Sequence, residues 1–536
     1  MKNNKFKLGI VMFSFFTILF STSCVDLNVT PYDQISDTQY WNKSEAAVDA
    51  LNTCYTNLMS AQEVIYSDAT TDNAYCKGGA VDQAIGNGSY STSDGYVQAV
   101  WSSKYAGIRN CNILLDNIDK VPGLTAELKN RYIAEAKVIR AYLYFELYSK
   151  FGDIPFFTKT ISIAESQSLI RTPKADVVKE LLAELTDVIT NNYLPESYPA
   201  TDKGRITRYA AMALEARMLL FDERYPEVKT ITDNIMSNSK FSLFPSYEGL
   251  FYAANEGNPE VILDIQYMLT TREQNVEGQF IPPSMGGYSN LAPLQELVNS
   301  YVASDGLPID QSSVYSASTP YLNRDPRLAA TIIYTGNSYL MADGSLNMIN
   351  CDKGANKDGY GFSSDCTPTG YYLKKYWDKD NSTIVKLSSG LNIILIRYAD
   401  ILLMNAEAAA VAGTLDAATW NATIKPLRIR AGFTNPLALN FPAGSSQQDL
   451  IDIVRRERRS ELAFEGLRYN DIIRWHTAET VMNGWCHGLK TNDIVGTDNG
   501  FVQIEKRTFN KAKHYLWPIP QTERDLNKNL TQNPNW

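Results

Sequence analysis

Residues 451–475 read IDIVRRERRSELAFEGLRYNDIIRW, and the spacing within them decides how the rest of the chain is read. Glu457, Glu461 and Glu465 recur at every fourth position, so they fall on one side of a helix. Arg455, Arg456, Arg458 and Arg459 interleave with them, while Ile451, Val454, Leu462 and Phe464 supply apolar contacts. Gly466 reads as a break or C-cap before a second apolar segment at 469–475. The stretch predicts a salt-bridged helix packed against something large. An Arg/Glu ladder of this kind is a structural device rather than a catalytic one.

Other helices follow from the same periodicity. Ser44 is placed to cap a helix running to about Ser60, with Ala47, Leu51, Tyr55 and Leu58 at helical spacing. A helix containing Trp101, Tyr105 and Ile108 has the W-x3-Y-x2-I spacing of the first helix of a tetratricopeptide (TPR) repeat. Its partner spans 132–150, where Ala134, Ala136 and Ala141 permit close approach and Ile139, Leu143 and Leu147 fill the interface. Gly152 stops that helix and Pro155 prevents its resumption. Thr172-Pro173 opens a further helix to about Asn191; others span 207–220, 225–236, 395–412 and 417–431, the last kinked or broken at Pro426. Helix pairs at loose spacing predict a TPR-like stack interrupted by insertions.

Several of these stretches resemble the SusD/RagB family of nutrient-binding outer-membrane lipoproteins. VRRERRSELAFEG followed by LRYNDIIRW is similar to the family's C-terminal signature, and residues 140–155, RAYLYFELYSKFGDIP, are close to another. Trp41, Ala47, Ala50 and Tyr55 match its first helix. The ending LWPIP (516–520) and QNPNW (532–536) matches its closure, with Asn535 where glycine is usual. The resemblance spans the chain from leader to terminus. It implies a mainly α, SusD-like fold: a TPR-like helical-pair scaffold carrying an irregular, loop-rich ligand-binding half with few short strands.

Composition and compartment agree with an exported binding protein. The chain has 536 residues, 44% of them hydrophobic and 20% charged, a globular balance large enough for more than one subdomain. Lys2, Lys5 and Lys7 precede the apolar run 8–20 and then Ser21-Thr-Ser-Cys24, which reads as a signal peptide (1–23) with Cys24 as the lipidated N-terminus. Removing those three lysines takes the net charge from −9 to −12, which argues against nucleic acid as a partner. The expected organisation beyond the leader is an N-terminal region with TPR-like pairs (24–260), a loop-rich ligand-facing region (261–390) and a C-terminal region completing the scaffold (391–536). Residues 261–267 read as a strand, and 66–95 as loop.

No sequence motif marks a reaction centre. The three histidines, His476, His487 and His514, stand in no metal or catalytic pattern, and Cys486-His487 reads as surface loop. Residues 352–365 place Asn356, Asp358, Gly359 and Asp365 at EF-hand positions three, five, six and twelve. Gly354 stands at the first ligand position, however, and flanking amphipathic helices are missing, so no cofactor is expected and structural calcium is the one metal left open. Cys351 and Cys366 bracket this loop, where a disulfide fits an oxidising compartment; Cys54 and Cys111 read as buried thiols.

What remains is binding. Sugar faces stack on aromatic rings edged by amides and carboxylates, so the loop-borne candidates are Tyr75 with Asp72 and Asn73, Tyr90, Tyr288 with Asn290, Tyr360 and Trp377. The resemblance implies capture of an oligosaccharide outside the cell and its delivery to a SusC-like TonB-dependent transporter by a lipid-anchored outer-membrane protein that is not an enzyme. A RagB-like peptide binder and a secreted glycoside hydrolase are the alternatives.

Overall fold

The computed structural model describes residues 37–77, 83–238, 240–381 and 388–536. The leader, Cys24, the segment 25–34 and Gly78-Gly79 lie outside the described residues.

The N-terminal half is built from α-helices whose ends are set by local chemistry. After a single turn at Asp37–Tyr40, α1 (Ala46–Tyr55) starts without a side-chain cap, so Ser44 does not cap it. It also ends before Ser60. That serine instead opens a short helix, Ala61–Tyr66, through a capping box with Glu63. Helix α2 (Gly95–Asn117) is capped by Asp94, whose carboxylate accepts from the Tyr96 and Val97 amides. Helix α3 (Ala126–Phe151) begins a turn and a half earlier than the sequence suggests, with Thr125 as cap, and ends where Gly152 takes φ +71°. Ala134, Ala136, Ala141, Ile139, Leu143 and Leu147 are all buried, and α2 and α3 pack on each other and on α1.

Helix α4 (Lys174–Thr190) is not capped by Thr172, which bridges Ile154 instead; the Asp153 carboxylate accepts from the Lys174 amide. Helices α5 (Arg208–Phe221, capped by Thr207) and α6 (Tyr225–Met236) follow the sequence reading. The helix expected over 395–412 starts later, as α7 (Tyr398–Val411). Its intended first turn is strand, because Ile393-Ile-Leu-Ile is a mostly β-branched, buried run. Pro426 breaks the next segment into Ala417–Ala422 and Ile424–Ala431: a continuous helix would press its ring against the Ala422 carbonyl.

Helix α8 (Gln447–Glu461) and the short α9 (Arg468–Arg474) carry the signature stretch. A capping box from Ser446 and Asp449 opens α8, and Gly466, at φ +79°, turns the chain into α9. Two expectations change here. The helix ends at Glu461, so Glu465 lies beyond it. The charged residues also form no ladder along α8, because each reaches across to another element. Glu457 pairs with Arg327 and Arg428, and Glu461 with Arg327, Arg397 and Arg430. Glu465 pairs with Lys375 and Arg397, Arg458 with Asp400 and Asp471, and Arg459 with Asp72.

The sheet content is small and mostly antiparallel pairs. Strand β1 (Ala74–Cys76) pairs with β3 (Leu291–Pro293), and β2 (Val261–Ile265) with β4 (Ile393–Arg397). The loop-rich region is thus an excursion whose two ends are tied together by β2 and β4. A hairpin, β5 (Gly484–Lys490) and β6 (Phe501–Arg507), completes the irregular half. No described helix is long and apolar enough to cross a membrane.

Candidate functional site

The β1–β3 pair brings distant parts of the sequence side by side. Tyr75 stands opposite Ala292, and the Lys77 amide donates to the Asn290 carbonyl at 2.8 Å. This register sets Tyr75 on the same small sheet that Tyr288 and Asn290 lead into. The loop 351–366 joins them: Lys77 Nζ donates to the carbonyls of Ser364 (2.5 Å) and Cys366 (2.9 Å), and the Ser284 amide donates to Asp358 Oδ1 at 2.8 Å. Tyr360 is fixed in that loop by its own amide on the Cys351 carbonyl and by the Gly354 amide on its carbonyl.

The β5–β6 hairpin closes one side. Arg507 donates to the carbonyls of Thr71 and Ala74, next to Tyr75. Glu505 Oε1 accepts from Gln83 Nε2 at 2.9 Å and from Asn87 Nδ2 at 3.2 Å, and Gln83 also reaches the Tyr75 hydroxyl at 3.4 Å. Burial and then the Glu505 charge push Tyr75 above the usual phenol range. Across the hairpin, His487 is clasped by Glu296. Its amide donates to both carboxylate oxygens, Nδ1 lies 2.7 Å from Oε1, and Asp498 approaches Nε2 at 3.4 Å. The Glu296 hydrogen bond raises the imidazole above its ordinary value.

The aromatic character of the face is open to solvent. Tyr288 is 44% exposed and Phe362 56%, with Tyr75 and Tyr360 half-buried between backbone and surface. Flat rings held on short strands and tied loops, edged by amides and carboxylates, have the chemistry to stack on sugar faces and bond to their hydroxyls. Asn290 spends its side-chain N–H on Gln279 Oε1 at 2.6 Å, which orients it.

Four residues read from the sequence as ligand contacts are structural instead. Asp72 is buried and chelated by Arg468 through Nε and Nη2, both at 2.9 Å, with Arg459 at 3.0 Å. Burial would raise its carboxyl, but Arg459 and Arg468 outweigh this and hold it at about 2. Asn73, fully enclosed, bonds Asp68 and Arg459. Tyr90 packs among the rings of His514, Trp517 and Trp536. Trp377 is buried against Tyr339, its Nε1 donating to the Leu340 carbonyl at 2.7 Å. These side chains serve the arginine network and the core.

Further corrections concern thiols and loops. Cys351 and Cys366 are separate buried thiols; Cys366 Sγ bonds the Ser363 carbonyl within its own turn. Cys486 and His487 belong to β5 rather than a loop, Cys486 buried and pushed up to about 11 by burial, so adjacency on a strand sends the two side chains to opposite faces. No group of three or more His, Cys, Asp or Glu among the described residues is arranged to hold a metal, and Asp358 already accepts from Ser284.

Sequence reading missed Gln83, Asn87, Glu505 and Phe362. The alternation in 501–507 is a legible strand signal, but nothing in one dimension says that Glu505 meets Gln83.

Comparison with known proteins agrees with this architecture. The SusD family profile matches residues 254–536, and a profile described as "Starch-binding associating with outer membrane" matches 27–220. A SusD-like protein of Formosa agariphila is 27% identical over 400 residues, covering 71% of this chain and 70% of that protein. The crystal structure of a SusD-like carbohydrate binding protein from Bacteroides fragilis superposes with TM-score 0.83 at 28% identity, over 92% of this chain and all of the other. A second SusD-like structure from that species gives 0.79 at 25% identity, covering 95% of this chain and 100% of the other. With the profile covering the C-terminal half, and the helical scaffold and loop-rich half matching throughout, the chain belongs to the SusD family.

Proposed function

We propose that this protein binds a glycan on the face formed by Tyr75, Tyr288, Tyr360 and Asn290, without breaking a bond in it. The observation that carries the reading is the β1–β3 pairing, which joins half-buried Tyr75 to the loop of exposed Tyr288 beside the Gln83–Glu505–Asn87 amide–carboxylate cluster. The structurally similar Bacteroides fragilis protein, described as carbohydrate binding, supports it. In this proposal the mature chain is tethered to the outer membrane by lipid on Cys24, faces the exterior, and passes its cargo to a SusC-like TonB-dependent transporter.

Titration calorimetry of the purified protein against a panel of polysaccharides and peptides tests the binding step. Saturable binding of one glycan, without release of shorter products and weakened by Tyr288→Ala, is the expected result. Peptide binding alone transfers the protein to the RagB-like reading. Release of shorter products, lost on changing a single carboxylate, makes it an enzyme. Delivery is tested separately, by co-purification of a transporter from detergent-solubilised outer membrane.

A further inference from the structure

Helices α1 and α2 cross close to Cys54 and Cys111. The register comes from a neighbouring glycine: a Cβ built on Gly107 would stand 2.7 Å from the Asn57 Cβ and 2.7 Å from Leu143 Cδ1. Asn57 lies one turn beyond Cys54, and Gly107 one turn before Cys111. With Cys54 beside Cys111 and Asn57, just past the end of α1, beside Gly107, the two segments run antiparallel at this point. A glycine at the crossing lets the backbones approach, which is what a disulfide needs, since its Cα atoms sit roughly 4–7 Å apart. Both thiols are fully enclosed and free in this structure; Cys54 Sγ donates to the Ala50 carbonyl at 3.3 Å, and the Cys54 thiol lies close enough to perturb Cys111.

We propose that Cys54 and Cys111 are oxidised to a disulfide in the exported protein. The loop this bond closes contains Tyr75, Gln83 and Asn87, so it would fix the foot of the segment that supplies one side of the binding face. Burial and then the Cys54 thiol raise Cys111 well above the usual thiol range, so a folded, reduced pair is a poor nucleophile and the bond is made before α1 and α2 close. The oxidant is an exported thiol oxidase carrying a reactive disulfide. One protein thiolate attacks it, forming a mixed disulfide and releasing one oxidase thiolate. The second protein thiolate then attacks its partner's sulfur and frees the oxidase as a dithiol. Two electrons pass to the oxidase, and the two thiol protons end on its sulfurs or in solvent.

The inference rests on the export reading, and two experiments keep them apart. First, the protein is made with its own leader and the membrane fraction is acid-quenched. Free thiols are then blocked with N-ethylmaleimide, and the unreduced digest is read by mass spectrometry. A peptide pair joined through Cys54 and Cys111, two hydrogens lighter than the separate peptides, is expected. Both residues carrying N-ethylmaleimide in membrane-located protein overturns the proposal. Second, the purified protein is reduced, unfolded and refolded in a glutathione redox buffer, where location plays no part. The same linked pair is expected, with a melting temperature that reductant lowers by several degrees but that does not respond to reductant in the Cys54→Val, Cys111→Ala double variant. Absence of the bond in this buffer refutes the geometry. Bond formation there with the cellular protein found in the cytoplasm refutes export alone.

Discussion

Replacing Arg397 with methionine tests whether the arginine network holds the two halves together. Arg397 is fully buried and makes five contacts. Its Nε and Nη2 grip the two Glu465 oxygens, each at 2.7 Å; Nη1 reaches Glu260 and Glu461 carboxylates, both at 2.7 Å; and Nη2 also donates to the Glu461 carbonyl at 2.8 Å. Methionine fills similar volume but leaves three enclosed carboxylates with fewer partners. Glu465 keeps Lys375, Glu260 keeps Arg430, and Glu461 keeps Arg327 and Arg430. Breaking a buried pair from one side costs about 3–5 kcal/mol, a large part of a stability of about 5–15 kcal/mol. The loss should be seen as a lower urea midpoint by tryptophan fluorescence. It should also depend on pH. Burial would raise the Glu461 carboxyl, but Arg430, Arg397 and Arg327 together hold it far below the usual range. A depressed carboxylate stabilises above its unfolded value and loses that contribution as pH falls. The gap between parent and variant should therefore be full at pH 7 and shrink as pH drops below about 4.5. As a control, removing the exposed Lys528 of the Lys528–Asp525 pair should cost under about 1 kcal/mol. An Arg397→Met protein within about 1 kcal/mol of the parent, or a gap indifferent to pH, would falsify the reasoning.

Asp72→Asn should lower stability by about 3 kcal/mol while leaving glycan affinity of the folded protein unchanged, because Arg459 and Arg468 lose a buried counter-charge. The parent's advantage should fade as pH falls from the usual carboxylate value of 3.8 toward about 2, readable in acid denaturation; a selective loss of glycan binding would restore Asp72 as a contact. Tyr288→Ala should do the reverse, keeping the melting temperature and weakening binding about fivefold, the worth of about 1 kcal/mol of ring contact, by calorimetry. The raised imidazole of His487 gives a stabilisation present below the unfolded value near 6.5 and lost as pH rises through its higher folded value. Melting curves of His487→Gln should accordingly miss the alkaline-side decline that the parent shows, and identical pH profiles would refute the clasp with Glu296.

Helices were legible wherever a local signal sufficed. The 3.6 periodicity, the Gly152 stop and the break at Pro426 are short-range effects, and α6 has the bounds its pattern suggests. The first turn expected at 395–397 failed because two-sided burial beside β2, a tertiary fact, turns a β-branched run into strand. Among the candidate site residues, the sequence could not separate Tyr288 from Tyr90. Both are loop tyrosines, and only packing decides that one meets solvent and the other the rings of His514 and Trp536.

The same division runs through the signature stretch. The sequence by itself determined that 451–475 holds a helix, a glycine break and a second apolar segment, and that its charges are structural, because spacing and capping act over a few residues. Which partners those charges take was decided by the tertiary structure alone. Glu461 meets Arg327, Arg397 and Arg430, and Arg459 meets Asp72, because folding excludes water and forces each buried charge to find an opposite one across the core. Thus Asp72, an acid beside aromatic residues and so a sugar contact by type, became a counter-ion once the arginine helix closed over it.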